Sequence, residues 1–362
     1  MKAVGVEKAD IGFAASNGLA YDRVVAVAKA NAQEANPIEV SCAARTKREE
    51  DIIPIVEASQ TVGRPITADA FIGTDPDRIE VEKWTKQEMV TNVRETARFA
   101  TSHGIPIMIV TETSFLGIEK IPNIVKDIYK AALDEGARRV CLSDTTGQHL
   151  PYEIERGVKW MRKFLDKNGF PDVGIDFHGH DDLRCAVPNS IAAYRAGADR
   201  VHGTILGVGE RAGNTDLIPL LIQMDSHNMN IGHDLRILPT YAMVASEALG
   251  IPIRDDEPGI GFDSRAQTSG VHAAAALKGI RAGKTGIYLA FDYAEKMGIT
   301  PSHTTRIGPN AGTSNVLLYC YTNQLEEPTE NQIRAVLDAA KKLTNKSALS
   351  DDRIRALLAH NK

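Results

Sequence analysis

The chain lacks the features that would tie it to a membrane, to the cell exterior or to nucleic acid. Nowhere in its 362 residues do 18 apolar residues follow one another, so no transmembrane helix is expected. The opening residues carry Glu7 and Asp10 and contain no apolar core segment, which is unlike a secretory signal. Only four cysteines are present, Cys42, Cys141, Cys185 and Cys320, and no two are spaced as Cys-x-x-Cys. Neither a thiol redox motif nor a cysteine zinc site is therefore expected. Two disulfides could be drawn, but buried thiols in a reducing compartment are the simpler reading, and a cytoplasmic protein is expected. An excess of basic charge is also missing: the net charge is −5, so nothing suggests a nucleic-acid footprint. Local charge runs, such as Lys341 with Lys342 and Asp351-Asp352-Arg353, read as solvated helix faces.

What is present is the composition of an ordinary globular enzyme, 43% hydrophobic and 25% charged. Short β-branched runs alternate with longer amphipathic stretches over the first two-thirds of the chain. Strands are expected at 9–15, 37–44, 66–73, 106–112, 139–144, 174–180 and 200–207. Helices are expected between them at 21–33, 47–61, 86–103, 122–135, 153–168 and 183–196, with 1–6 reading as the end of a helix. This rhythm implies βαβ units and a parallel sheet. Gly104, Gly136 and Gly197 each sit just past a helical run, where a left-handed residue ends a helix. The seven strand runs are one short of a closed (β/α)₈ barrel. No Gly-x-Gly-x-x-Gly turn follows an early strand, so a dinucleotide-binding open sheet is a poor alternative. The expected class is therefore α/β, a TIM (β/α)₈-type barrel lacking its first strand/helix unit, with a mainly helical C-terminal appendage. The barrel is expected over 1–230 and the appendage over 231–362, with helices at 237–250, 267–281, 330–345 and 350–360 and a Pro/Gly/Asp-rich linker at 251–261.

The densest chemical signal is Asp176-Phe-His178-Gly-His180-Asp181-Asp182. Alternate residues of a strand share a face, so His178 and His180 project together at the strand's C-terminal end, where barrel enzymes carry their sites. Two imidazoles there make half of a divalent-metal site; a pair of surface histidines before a helix, with Asp182 as its N-cap, is the bland alternative. The next strand run leads into Gly207-Val-Gly209-Glu210-Arg211-Ala-Gly213-Asn214, whose glycines allow a tight turn. Asn214 could offer a carbonyl oxygen to a metal, and Glu210 and Arg211 could form a simple ion pair. Asp10, Asp69, Glu112 and Asp144-Thr145-Thr146-Gly147 lie at the ends of other strand runs. Singly, the last of these is also a good turn sequence.

His178-Gly-His180-Asp-Asp182 with Ala186-Val-Pro-Asn189-Ser190, the 207–214 segment and Ser269-Gly-Val-His272 together resemble the signatures of the isopropylmalate synthase/homocitrate synthase/HMG-CoA lyase superfamily. Phe71-Ile-Gly-Thr-Asp-Pro76 and Ile307-Gly-Pro-Asn-Ala-Gly-Thr-Ser-Asn315 are most similar to the short branch of 2-isopropylmalate synthases, which lacks a regulatory domain. The resemblance extends to about residue 322. It implies an acyltransferase that condenses acetyl-CoA with a 2-oxo acid, 3-methyl-2-oxobutanoate first, giving 2-isopropylmalate for leucine biosynthesis. His178 and His180 would bind a divalent ion (Mg²⁺, Mn²⁺ or Zn²⁺), with Asn214 in or near its shell. Thr145 would hold the substrate carboxylate, and Glu112 would line the oxo-acid pocket, near Asp69 and Asp10. His272, helped by Tyr288 or Tyr293, matches a catalytic histidine supplied across a homodimer interface.

Departures from the family pattern carry expectations of their own. The family's Asp-x-x-Leu-Arg-Asp-Gly strand, with its third metal ligand and an arginine, has no counterpart here, so Met1 is expected to be an internal methionine taken as a start. Asp181 stands where the family usually has Asn, and Thr113-Ser-Phe-Leu-Gly117 replaces a more polar stretch. The second change bears on which oxo acid fits. A citramalate or homocitrate synthase, an HMG-CoA-type lyase and a non-catalytic paralogue are the competing readings.

Overall fold

The computed structural model describes residues 1–46, 48–229, 232–344 and 347–360. It divides into two compact units, Met1–Leu220 and Leu221–Lys362. Lys47, Asn345 and the expected boundary between residues 230 and 231 lie outside the described residues.

The first unit is built on seven parallel strands paired in chain order. Its elements are β1 (Lys8–Asp10), α1 (Gly18–Gln33), β2 (Glu39–Arg45), α2 (Ile53–Val62), β3 (Thr67–Gly73), α3 (Pro76–Val81), α4 (Lys86–Ser102), β4 (Ile107–Glu112), α5 (Ser114–Lys120), α6 (Pro122–Asp134), β5 (Arg139–Asp144), α7 (Pro151–Lys167), β6 (Gly174–Gly179), α8 (Ala186–Arg195), β7 (Arg200–Val201) and the start of α9 (Leu217–Ser226). The central strands are buried on both faces, as the near-continuous apolar runs of β4 and β5 require. Small residues on β2 and β3, Ala44, Ala68 and Ala70, are wholly buried. β1 and β7 are the unpaired edges. The sheet curls strongly enough to bring the Arg200 guanidinium of β7 within 3.9 Å of the Glu39 carboxylate of β2. The fold is thus a TIM-type half-barrel, one strand short of closure among the described residues, with helices on its outside.

Local chemistry sets the element ends. Thr85 and Glu88 form a reciprocal capping box at the start of α4. Gly104, Gly136 and Gly197 take positive φ, 71°, 99° and 104°, just after their helices.

Several expectations need correction. β1 stops at Asp10, and Ala14–Ser16 is a 3₁₀ turn. β7 keeps only two residues, and Ile205–Gly207 is a turn in which Leu206 has φ 60°. The chain cannot run on in the sheet there, because Gly203 is pressed against Thr215 and Leu217; a Cβ on it would meet the Leu217 side chain at 2.8 Å. Lys2–Val4 is a 3₁₀ turn, the expected 47–61 helix becomes a π-turn (Arg48–Ile52) leading into α2, and α3 and α5 had no expectation at all. The 183–196 helix starts only at Ala186. Asp181, not Asp182, accepts the Ala186 N–H there, at 3.1 Å.

The second unit continues with α10 (Leu238–Leu249), β8 (Ala266–Gln267), α11 (Gly270–Arg281), α12 (Tyr293–Met297), β9 (Thr304–Thr305), α13 (Thr313–Thr322), α14 (Glu330–Lys341) and α15 (Asp351–His360). It is mainly helical; β8 and β9 pair in parallel, and Ile307, Val316, Tyr319, Val336 and Ile354 form one of its apolar clusters. α9, α12, α13 and the β8–β9 pair were not expected. No helix among the described residues is long and apolar enough to cross a membrane.

Candidate active site

Alternation along β6 decides which side chains meet. Phe177 turns outward and is wholly buried against the helical layer, where its ring lies 6.0 Å from that of Phe115. Asp176 and His178 take the opposite face. Asp176, wholly buried, accepts the Arg139 Nε–H at 2.7 Å and faces His202 Nε2 at 2.9 Å. Burial alone would raise its pKa, but His202 and Arg139 hold it down to about 2. His202 then lies beside His178, ring centroids 5.7 Å apart. Sequence reasoning missed His202. In sequence it lies inside the expected 200–207 strand run, and only the early stop of β7 at Val201 makes it a strand-end residue.

His178 Nε2 and His180 Nε2 face one another at 3.3 Å. Desolvation first, then the neighbouring imidazoles of His202 and His180, lowers the His178 pKa to about 3. Desolvation and the Arg211 guanidinium lower that of His180. Both rings are thereby kept neutral, with lone pairs available at neutral pH. Beyond β6, His180 and Asn214 form an antiparallel bridge, and Asp181 N–H donates to Gly213 O at 2.9 Å. That bridge brings the 207–214 turn against the histidines. Gly209 makes room for it: a Cβ there would stand 2.5 Å from Asn214 Nδ2. Asn214 donates from Nδ2 to Val208 O at 3.3 Å, while its buried Oδ1 has no hydrogen-bond partner, and neither has the buried His180 Nδ1. Arg211 pairs chiefly with Asp182, at 2.8 Å, and only at 3.4 Å with Glu210.

These groups fit a divalent ion in part. Two imidazole nitrogens each about 2.1 Å from one ion can stand no more than ~4.2 Å apart, and the observed 3.3 Å lies inside that limit. An amide oxygen left unsatisfied in a buried setting is the kind of atom a cation would complete. Among the described residues no group of three or more His, Cys, Asp or Glu is placed to hold a metal. What these residues could offer an ion is two imidazoles and an amide.

The other strand-end residues are already engaged. Glu112 is held by Arg78 at 2.6 Å, Asp69 by Lys8 at 2.9 Å, and Thr145 Oγ1 accepts the Thr113 N–H at 2.8 Å. Arg78 was not singled out in the sequence, because α3 was not expected. Asp10 accepts the Gly12 N–H at 2.8 Å. Although Asp10 reaches solvent, desolvation by the surrounding protein, then the Asp69 charge, raises its pKa to about 6. In the second unit, the exposed His272 stacks on Tyr288, ring centroids 4.3 Å apart, and Tyr288 itself has φ 61°. Tyr293 is buried, its hydroxyl 3.3 Å from Ser264 O.

Comparison with known proteins gives a consistent result. A family model described as HMGL-like matches residues 1–244. An (R)-citramalate synthase of Aquifex aeolicus is 28% identical over 268 residues, 72% of this chain and 48% of that protein. A 2-isopropylmalate synthase of Halalkalibacterium halodurans is 26% identical over 368 residues, 99% of this chain and 67% of that protein. The chain thus spans about half to two-thirds of the length of these relatives. Among solved structures, an HMG-CoA lyase of Bacillus subtilis superposes with a TM-score of 0.55 at 17% identity, covering 70% of this chain and 84% of that one.

Proposed function

Because the chain belongs to the HMGL-like family, we propose that it serves as an acyltransferase that condenses acetyl-CoA with a 2-oxo acid. The oxo acid proposed first is 3-methyl-2-oxobutanoate, giving 2-isopropylmalate; citramalate- and homocitrate-type substrates are the outcomes a substrate panel must separate. The observation that supports this reading most is the pair of facing imidazole nitrogens, with the unsatisfied Asn214 oxygen on the bridged neighbouring segment.

His178, His180 and Asn214 would hold a divalent ion, Mg²⁺, Mn²⁺ or Zn²⁺. When bound, such an ion supplies Lewis-acid polarisation of the ketone of a chelated oxo acid. The Thr145 hydroxyl already accepts one backbone N–H and keeps its own proton to donate to the substrate carboxylate. Glu112, neutralised by Arg78, would border the oxo-acid pocket without repelling that carboxylate. Asp69 and Asp10 would line the same mouth. His272 would take the methyl proton of acetyl-CoA, steadied by the Tyr288 ring, from a second copy of the chain. Hydrolysis of the product thioester then releases CoA and makes the sequence irreversible.

The test is equilibrium binding of Mn²⁺, followed by water-proton relaxation, with and without 3-methyl-2-oxobutanoate. One bound ion per chain, tightened by the oxo acid, is expected. No binding by the wild-type chain, or equal binding by His178→Ala, would overturn the metal assignment.

A further inference from the structure

A cavity of about 440 Å³ opens on the helical layer between α5 and α7, and none of the candidate active-site residues lines it. Its volume is in the range of small-molecule sites. Phe115, Ile118 and Trp160 supply apolar walls, and Gly157 lets Phe115 lie close, since a Cβ there would meet that ring at 2.5 Å. The polar groups differ in how far they are already committed. Glu119 is paired with Lys120 at 2.7 Å, and Glu153 accepts the Leu150 N–H at 2.9 Å. The Arg156 guanidinium has no hydrogen-bond or ion-pair partner among the described residues. His149, which also lines the cavity, is fixed through Nδ1, 2.7 Å from the buried Asp144 carboxylate. A carboxylate on Nδ1 sets the ring's orientation. Glu119 and Glu153 share the lining and the Arg156 charge acts on Glu119, but the hydrogen-bond donors of the guanidinium are unfilled and sit beside aromatic surface.

We infer that this cavity is a second binding site, for a small aromatic or branched aliphatic monocarboxylate, whose carboxylate meets Arg156 while its apolar body lies against Phe115, Ile118 and Trp160. The site makes no demand on the reaction proposed above. It is also connected to the barrel: the Phe115 ring touches those of both His149 and Phe177, at 5.5 and 6.0 Å, and Phe177 precedes His178.

The chain has two tryptophans, so Trp84→Phe leaves Trp160 as the sole indole reporter. On this background the probe is 3-phenylpropanoate, titrated to millimolar concentration and followed by Trp160 fluorescence and calorimetry. Saturable binding is expected, with Arg156→Gln weakening it by about tenfold, as loss of a charge-assisted bond does. Ile118→Trp, which fills the cavity, should abolish calorimetric binding while leaving the circular dichroism spectrum unchanged. 3-Phenylpropan-1-ol should bind more weakly and 2-phenylethylamine not at all. No saturable response to the carboxylate, equal affinity in Arg156→Gln, or tighter binding of the amine would overturn the assignment.

Discussion

Asp176 shows how much of the barrel's interior rests on one carboxylate. It is wholly buried and faces the Arg139 guanidinium and the His202 ring, with Arg200 3.8 Å away. Removing one partner from such a network leaves charge uncompensated, which is worse than removing the whole network. Asp176→Ala should therefore destabilise the first unit by about 3–5 kcal/mol, measured by urea unfolding. Asp10 works in the opposite sense. Its folded pKa of about 6 lies above the ordinary 3.8, so the folded chain holds an extra proton between those values. The stability from that proton is fully present below 3.8 and is lost as pH rises through 6. Asp10→Asn should raise the melting temperature above pH 6, and the gain should vanish as pH falls towards 3.8. The meeting of the His178 and His180 rings was legible, because His-x-His along an extended segment places both rings on one side. The partners of Asp176 were not, since Arg139, Arg200 and His202 meet it only across strands β5, β6 and β7.

At the scale of elements, the strands buried on both faces were the easy ones. β2 to β5 match their sequence runs to within two residues, because continuous β-branched and apolar stretches between glycine-ended helices have few other homes. The edges were harder: nothing local tells β7 to stop after Val201, and the close approach of Thr215 and Leu217 to Gly203 is a tertiary effect. α5 escaped notice for a similar reason. It is a seven-residue helix whose Gly117 lets it close on Thr74, where a Cβ would come within 2.7 Å of the Thr74 hydroxyl. The 207–214 turn offers the sharpest test at this scale. Gly209→Ala places a methyl where the Asn214 amide lies, without needing a left-handed backbone there. Divalent-ion affinity should fall by about 10- to 100-fold, as when a group supporting a metal site is displaced. The unfolding midpoint should move little. Equal affinity would remove Asn214 from the site.

For the whole molecule, the sequence rhythm anticipated a parallel curled sheet followed by a helical region, and the structure has both. It did not reveal α9, α12, α13 or the β8–β9 pair, whose short segments have no periodicity long enough to read. If His272 acts across a dimer, mixed chains report it. Co-refolded His178→Ala and His272→Ala chains should recover about a quarter of wild-type activity, because half of the dimers are mixed and each holds one intact site. Failure to complement would place His272 in its own chain's site or outside catalysis.

The account depends most on whether this chain joins acetyl-CoA to a 2-oxo acid. The direct measurement is release of free CoA thiol, with Mn²⁺ present, over a panel of 3-methyl-2-oxobutanoate, pyruvate and 2-oxoglutarate. Release that requires both an oxo acid and the metal, fastest with 3-methyl-2-oxobutanoate and lost in His178→Ala, is the predicted result. No oxo-acid-dependent release from a folded, metal-loaded chain would contradict it.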